Sequence, residues 1–214
     1  FNDSRIKYVR PSRYLGGVDH WNFAFSHASG EWQVLLCDDH AFVPSLLSTI
    51  VKKIEKYPDV DTFGFAYATY FDSEWCIEHE RSRFVIPGFF GGEKVITSKS
   101  VIEEMFESGT GLFGSIKRKV PLITNAVYSK QIIRRIHYRF GGHLFEPVCP
   151  MTSAALAALA LSEKTFRTDI PLVILGKPIK SASGHIADAS TLNRMMGKTT
   201  GWKYVPIKSL TVFP

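Results

Sequence analysis

The stretch Gly30-Glu31-Trp32-Gln33-Val34-Leu35-Leu36-Cys37-Asp38-Asp39-His40 determines the fold that we expect. Its apolar run, from Val34 to Cys37, ends in two adjacent carboxylates and an imidazole. A short apolar run between polar neighbours is typical of a strand that is buried on both faces, as in a parallel sheet. Ligands of open α/β sheets bind just beyond the carboxyl ends of such strands. The sequence therefore predicts that Asp38, Asp39 and His40 lie where a binding site is expected.

The stretch Asp38-Asp39-His40 has two interpretations. Neighbouring carboxylates suit a hard divalent cation that holds a phosphate-bearing substrate. Alternatively, these residues only cap the following helix, since Asp is favoured at a helix N-terminus. Pro44 and the amphipathic segment from Ser45 to Tyr57 predict that helix directly after the stretch.

The composition is that of a folded domain with a sizeable core, because 45% of the 214 residues are hydrophobic. No apolar run approaches the ~18 residues that span a bilayer, and we expect no secretory signal. The cysteines Cys37, Cys76 and Cys149 are widely spaced and match no disulfide framework or metal motif. This pattern favours a reducing compartment, and we expect a cytoplasmic protein with one domain over residues 1–214.

The net charge of +6 is unevenly distributed along the chain. Residues 1–107 carry 11 Lys and Arg against 16 Asp and Glu, whereas residues 108–214 carry 15 against 4. A basic half suits an anionic membrane surface, a phosphorylated ligand or nucleic acid, and it is also typical of an ordinary solvated surface. No ribonucleoprotein motif, zinc finger or heptad repeat is present, so we expect no nucleic-acid partner.

Strand-like and helix-like segments alternate along the chain, which predicts an α/β fold. Alternating or continuous apolar runs predict strands over residues 5–10, 34–37, 61–70, 122–128 and 171–175. Apolar residues at helical spacing predict helices over residues 21–28, 45–57, 130–140 and 151–162, with a further helix beginning near Ser98.

The order of these pieces resembles family 2 glycosyltransferases with the GT-A fold. The first half of the resemblance is carried by Asn22, Ala28, the turn Gly30-Glu31-Trp32, Asp38-Asp39-His40 and Pro44. The second half is carried by Leu144-Phe145, Pro150 and the run from Asp169-Ile170-Pro171-Leu172 to Gly176, so that about residues 1–185 are covered.

The resemblance implies a GT-A-like (Rossmann-like) mixed sheet flanked by helices. Residues 1–107 would form the donor and metal half, and residues 108–214 the acceptor half and a carboxy-terminal loop. The family's first strand-helix-strand unit, which holds the nucleotide base, has no counterpart here. We therefore expect that this unit lies upstream of Phe1 or is absent.

The resemblance also implies roles for residues of the donor site, with Mg²⁺ or Mn²⁺ as cofactor. Asp39 would bind the metal directly, while Asp38 would contact the ribose or the metal and its water shell. Asn22 would lie on the nucleotide-sugar side. His185 would close onto the metal or diphosphate from a carboxy-terminal loop, or have no role. His40 would join the site or only cap the following helix.

The family that the sequence resembles commonly places an aspartate, the catalytic base, after a proline at the start of the acceptor-side helix. Here Met151 and Thr152 follow Pro150, and neither accepts a proton at neutral pH. Glu146 is the nearest carboxylate and His143 a stand-in, although Glu146 is equally interpreted as a solvated loop residue. Three aromatic residues are interpreted either as platforms that stack on sugars or as core or rim residues: Trp75, Trp202 and Tyr204.

Together these features predict a metal-dependent, inverting hexosyltransferase of polysaccharide biosynthesis. Its donor would be a nucleotide sugar and its acceptor a saccharide or a lipid-linked sugar. The basic half would contact the anionic inner face of a membrane. The alternatives are a catalytically silent module that binds a sugar or a partner, and a nucleotidyltransferase.

Overall fold

In a computed structural model, the chain folds around a mixed β-sheet. The structure describes residues 3–75, 77–86, 88, 92–107, 120–147 and 150–179. Within these residues the helices are α1 (Gly17–Ser26), α2 (Leu46–Lys56), α3 (Ser98–Glu107), α4 (Lys130–Arg139) and α5 (Pro150–Leu161). The strands are β1 (Trp32–Gln33), β2 (His40–Phe42), β3 (Thr62–Phe71), β4 (Phe84–Val85), β5 (Glu93–Thr97), β6 (Ala126–Ser129) and β7 (Lys164–Lys177).

The long strands β3 and β7 form the centre of the sheet and run parallel to each other. The strand order is β1-β6-β3-β7-β2, while β4 pairs with β3 and β5 pairs with β7. All pairings other than that of β3 with β7 are antiparallel. β3 lies between β6 and β7, and Phe63 and Phe65, which share one face of it, are completely buried.

Helices cover both faces of the sheet, because its strands present apolar side chains on both faces. On one face α1, α4 and α5 pack against Ala126 and Tyr128 of β6. On the other face α2 places Leu46 and Ile50 against Phe63, Val127 and Val173. The predicted α/β class, with a mixed sheet flanked by helices, is confirmed.

The amphipathic pattern of residues 45–57 predicted α2 almost to its ends, and the aromatic alternation of residues 61–70 predicted β3. The prediction of a strand over residues 5–10 is wrong. This segment has no strand partner among the described residues, and its side chains Ile6 and Tyr8 are exposed. A sequence pattern of strand type forms a strand only when another strand supplies backbone hydrogen bonds.

The prediction of a strand over residues 34–37 is also wrong, although some side chains of this segment are packed on each face of the sheet. Only β1, just before it, joins a ladder, through the pairing of Gln33 with Tyr128 of β6. Val34 packs on the α2 side and Leu35 on the α1 side of the sheet, but Leu36 is 46% exposed. Beyond β1 the segment keeps one backbone bond to the loop before β6, from the Leu35 N–H to the Ile123 carbonyl at 3.1 Å.

None of the helices in the described parts of the chain has the length and apolar character that crossing a membrane requires.

Candidate functional site

A tight turn places Asp38 and Asp39 at the edge of the sheet where β3 and β7 end. The His40 N–H donates to the Cys37 carbonyl at 3.1 Å, which closes the turn with the two aspartates at its tip. His40 then begins β2, which pairs with the last residues of β7 through the register of His40 with Leu175. The carboxylates were predicted to lie just beyond the carboxyl end of a strand over residues 34–37. They do lie at strand carboxyl ends, but these are the ends of β7 and β3.

Gly176 of β7 holds this turn in place. Its N–H donates to the Asp39 carbonyl at 2.8 Å. A Cβ atom at position 176 would fall well inside the contact distance of the Asp39 carbonyl oxygen, and 3.2 Å from the carbonyl carbon. Only glycine therefore fits here, since a strand glycine permits a close approach of another backbone. The sequence shows Gly176 at the end of an apolar run, but nothing in the pattern connects it to Asp39.

Three potential metal ligands come together at the turn. One ligand atom each from Cys37, Asp39 and His40 lies within 4.8 Å of the other two. Asp39 Oδ1 and His40 Nε2 are 3.3 Å apart, and their side chains are 24% and 12% exposed. Asp38, by contrast, is exposed and does not belong to this group. Cys37 was not predicted from the sequence as a candidate ligand, although a turn brings together residues at the three-residue spacing of Cys37 and His40.

Burial sets the protonation of the two flanking groups. It raises the pKa of the Cys37 thiol to about 11, and the charges of Asp39 and Asp38 add to the rise. Burial also lowers the pKa of His40, with Asp39 opposing the shift and Lys177 adding to it. The thiol is therefore protonated and the imidazole neutral at pH 7. The buried Nδ1 of His40 has no hydrogen-bond partner among the described residues.

The donor set fits a divalent cation, because a carboxylate, a neutral imidazole and a thiol that can lose its proton are all metal ligands. The predicted ligand role of Asp39 is compatible with this geometry but stays a prediction, as does that of Asp38. His185 lies outside the described residues, as do Trp202 and Tyr204.

Asn22 connects α1 to the loop that precedes α5. Its side-chain Oδ1 accepts from the N–H groups of Leu144 and Phe145, each at 3.0 Å, and its Nδ2 donates to the Phe145 carbonyl at 2.9 Å. The amide thus has a structural task that the sequence did not predict, because its partners lie more than 120 residues away. Its place on the nucleotide-sugar side stays a prediction.

Glu146 follows this anchored loop and lines a cavity between α4 and α5. Its N–H donates to Ser153 Oγ at 3.1 Å, so α5 holds the backbone at this point. The cavity has a volume of about 280 Å³; its other lining residues include His143, Leu144 and several apolar residues of the two helices. Glu146 is half-buried there, and its role as catalytic base stays a prediction.

Met151, which follows Pro150, and the aromatic candidate Trp75 both contribute to packing. Met151 packs against the core on the α1 side and accepts a hydrogen bond from Thr124 through its sulfur, so the position after Pro150 serves the fold. Trp75 is buried, and its Nε1 donates to Glu80 at 2.9 Å. Of the two interpretations of Trp75, the structure therefore supports the core residue over the sugar platform.

The family model described as "Glycosyl transferase family 2" matches residues 1–136. This range includes Asn22, the Cys37–His40 turn, α2 and most of α4. No curated protein matches the chain.

Proposed function

The chain belongs to glycosyl transferase family 2, and from this premise we propose that it transfers a sugar from a nucleotide-sugar donor to a saccharide or lipid-linked acceptor. The observation that carries the proposal is the turn at Asp39, which Gly176 fixes at the strand ends beside Cys37 and His40. The family match also confirms the family predicted from the sequence, and the mixed sheet is consistent with a GT-A-like fold.

In this proposal the turn binds the diphosphate part of the donor. Asp39 and its neighbours at the turn would hold a divalent cation, which offsets the negative charge that develops on the leaving diphosphate. Asp38 is exposed at the tip of the turn, so its carboxylate is free to accept hydrogen bonds from ribose hydroxyls or from water. The backbone bond from Gly176 to Asp39 fixes the turn before the donor arrives, which lowers the cost of ordering it.

We propose Glu146 as the base that accepts the proton of the acceptor hydroxyl. A base must approach that hydroxyl to ~2.6–3.2 Å on the side opposite the leaving group, and direct displacement then inverts the anomeric centre. The bonds from Asn22 and Ser153 to the backbone at residues 144–146 hold this loop in position. Glu146→Gln should lower kcat by ~10²–10⁴-fold while nucleotide binding stays unchanged. Equal loss of both would instead indicate a structural role.

An activity assay tests the transfer itself. The protein would be incubated with UDP-, GDP- and dTDP-sugars, oligosaccharide or lipid-linked acceptors, and Mg²⁺, Mn²⁺ or Zn²⁺. We expect one donor class to release its nucleoside diphosphate only with a cation and an acceptor, and proton NMR of the product should show an inverted anomeric centre. Retained configuration would contradict the inverting mechanism, and no release from any donor would contradict the transferase.

The alternative of a catalytically silent sugar- or partner-binding module has one observation in its favour. Met151 packs into the core at the position where the resemblance places a catalytic aspartate. Such a module would bind a sugar without a cation and release no nucleotide. No feature of the described residues favours a nucleotidyltransferase over the family's own chemistry.

We further propose that the acceptor is presented at an anionic membrane on the cytoplasmic side. The charge of residues 108–214, with 15 basic against 4 acidic side chains, supports this proposal. Flotation with vesicles that contain anionic lipid should recover the protein, and neutral vesicles should not. Equal recovery in both would contradict electrostatic attachment.

A further inference from the structure

The sequence predicted Mg²⁺ or Mn²⁺ as the cofactor. The potential ligand atoms at the Cys37–His40 turn differ in kind from those that these ions require. Mg²⁺ takes oxygen ligands in near-octahedral geometry, whereas thiolate and imidazole ligands select borderline ions such as Zn²⁺ and Co²⁺. The turn offers one sulfur, one nitrogen and one carboxylate oxygen. We propose that Cys37, Asp39 and His40 together form a binding site for a cation of the zinc class, with its remaining position open to a diphosphate oxygen or water.

The geometry of the turn suits such an ion. In a tetrahedral zinc site with bonds of ~2.0–2.1 Å to nitrogen and oxygen, these two ligand atoms lie ~3.3 Å apart. Asp39 Oδ1 and His40 Nε2 are already separated by 3.3 Å. Cys37 Sγ lies within 4.8 Å of both ligand atoms, and the proposed site requires it to move closer to complete the third contact. Three of the four tetrahedral positions are thereby provided by four consecutive residues.

Charge balance supports the same conclusion. A divalent cation bound by one carboxylate and one thiolate is neutral as a unit, which suits a site whose side chains are mostly shielded from water. The Gly176 bond to the Asp39 carbonyl fixes the backbone that carries all three ligands.

This inference rests on the proposed function only in sharing Asp39 with the diphosphate site, and it is testable with the metal alone. Titration of the protein with Co²⁺ should produce a near-ultraviolet thiolate-to-cobalt charge-transfer band and the strong visible bands of tetrahedral Co²⁺. Cys37→Ser should abolish the charge-transfer band, whereas Cys76→Ser, the control, should retain it. Weak octahedral bands alone, or a charge-transfer band that persists in Cys37→Ser, would overturn the proposal.

Calorimetry with Zn²⁺ and Mg²⁺ gives a second readout. Zn²⁺ should bind once, and Cys37→Ser or His40→Gln should lower its affinity by at least ~10–100-fold, since each variant removes a direct ligand. Mg²⁺ affinity should change little in Cys37→Ser. Circular dichroism of each variant establishes that it is folded; if Cys37→Ser is unfolded, His40→Gln provides the same comparison. Equal affinity for the two ions, or unchanged Zn²⁺ affinity in a folded variant, would overturn the proposal.

The outcome can be separated from that of the proposed function. If Zn²⁺ binds through Cys37 but no nucleotide sugar binds, the metal site stands and the transferase proposal fails. If nucleotide sugars bind with Mg²⁺ or Mn²⁺ and Cys37→Ser has no effect on any cation, the transferase stands and the zinc-class site fails.

Discussion

Replacing Gly176 with alanine is the sharpest structural perturbation of the candidate site. The new Cβ would collide with the carbonyl of Asp39, so the turn must move by about 1 Å, and inserting a methyl group into a packed site costs about 1–3 kcal/mol. The movement also weakens the bond from the Gly176 N–H to the Asp39 carbonyl, which contributes about 0.5–1.5 kcal/mol. We expect the free energy of unfolding to fall by roughly 2–4 kcal/mol.

Urea unfolding followed by tryptophan fluorescence measures this loss, and Zn²⁺ or Mn²⁺ calorimetry on the folded variant measures its effect on the site. We expect the cation affinity to fall by ~10–100-fold, because the displaced turn no longer presents Asp39 beside Cys37 and His40. Gly17→Ala is the matched control. No atom lies within 4 Å of its added Cβ, and Gly17 is in the first turn of α1, so stability should stay equal or rise by up to about 1 kcal/mol. Wild-type stability and cation affinity in Gly176→Ala would refute the reasoning.

Three further predictions concern other parts of the fold. Asn22→Ala leaves the N–H groups of Leu144 and Phe145 without their acceptor, in a region where both residues are 1% exposed, so urea unfolding should show a loss of roughly 2–4 kcal/mol. An unchanged midpoint would argue against these bonds. Ser129→Ala removes the N-cap bond to the Ile132 N–H and the bond to Asp61, and should cost about 1–2 kcal/mol in the same assay, whereas an unchanged midpoint would contradict the cap. Cys37 in a variant without the other two cysteines should react with iodoacetamide with a midpoint near pH 11, because burial raises its pKa from 9.0 to about 11. Since the folded state keeps this proton longer than the unfolded chain, its contribution to stability falls as the pH rises from about 9 to about 11, and a midpoint near 9 in the folded protein would contradict the burial.

The parts of the fold that the sequence predicted are those determined by local periodicity. The apolar face of α2 and the aromatic alternation of β3 lie within single segments, and each was assigned almost to its ends. The wrong predictions concern segments whose structure is determined by pairing with strands that are distant in the sequence. Residues 34–37 have strand composition, but the ladder with β6 ends at Gln33 although β6 continues to Ala126, and beyond it the Leu35 N–H bonds instead to Ile123 in the loop before β6. Residues 5–10 alternate like a strand but have no strand partner in the described part of the chain.

In the candidate site, too, features set by local sequence were predicted and features set by long-range contacts were not. Asp38 and Asp39 were predicted as candidates from a local pattern, an apolar run that ends in carboxylates, and their roles stay predictions. The roles of Gly176 and Asn22 were not, because each depends on a backbone contact with a residue more than 120 positions away. The contribution of Cys37 could have been inferred, since a tight turn brings residues three apart together, but its apolar neighbours suggested a core position. The base remains a prediction, because composition alone does not distinguish a catalytic carboxylate at Glu146 from a solvated one.

Calorimetric titration with UDP-, GDP- and dTDP-sugars, with and without Mn²⁺ or Zn²⁺, tests the central claim most directly. The control variant is Asp59→Asn, a surface carboxylate that pairs with Lys164 near the opposite end of β3. We predict that one nucleotide class binds only with a cation, that Asp39→Asn abolishes this binding, and that Asp59→Asn retains it. Binding that needs no cation and survives Asp39→Asn would contradict the assignment of the Cys37–His40 turn as the donor site.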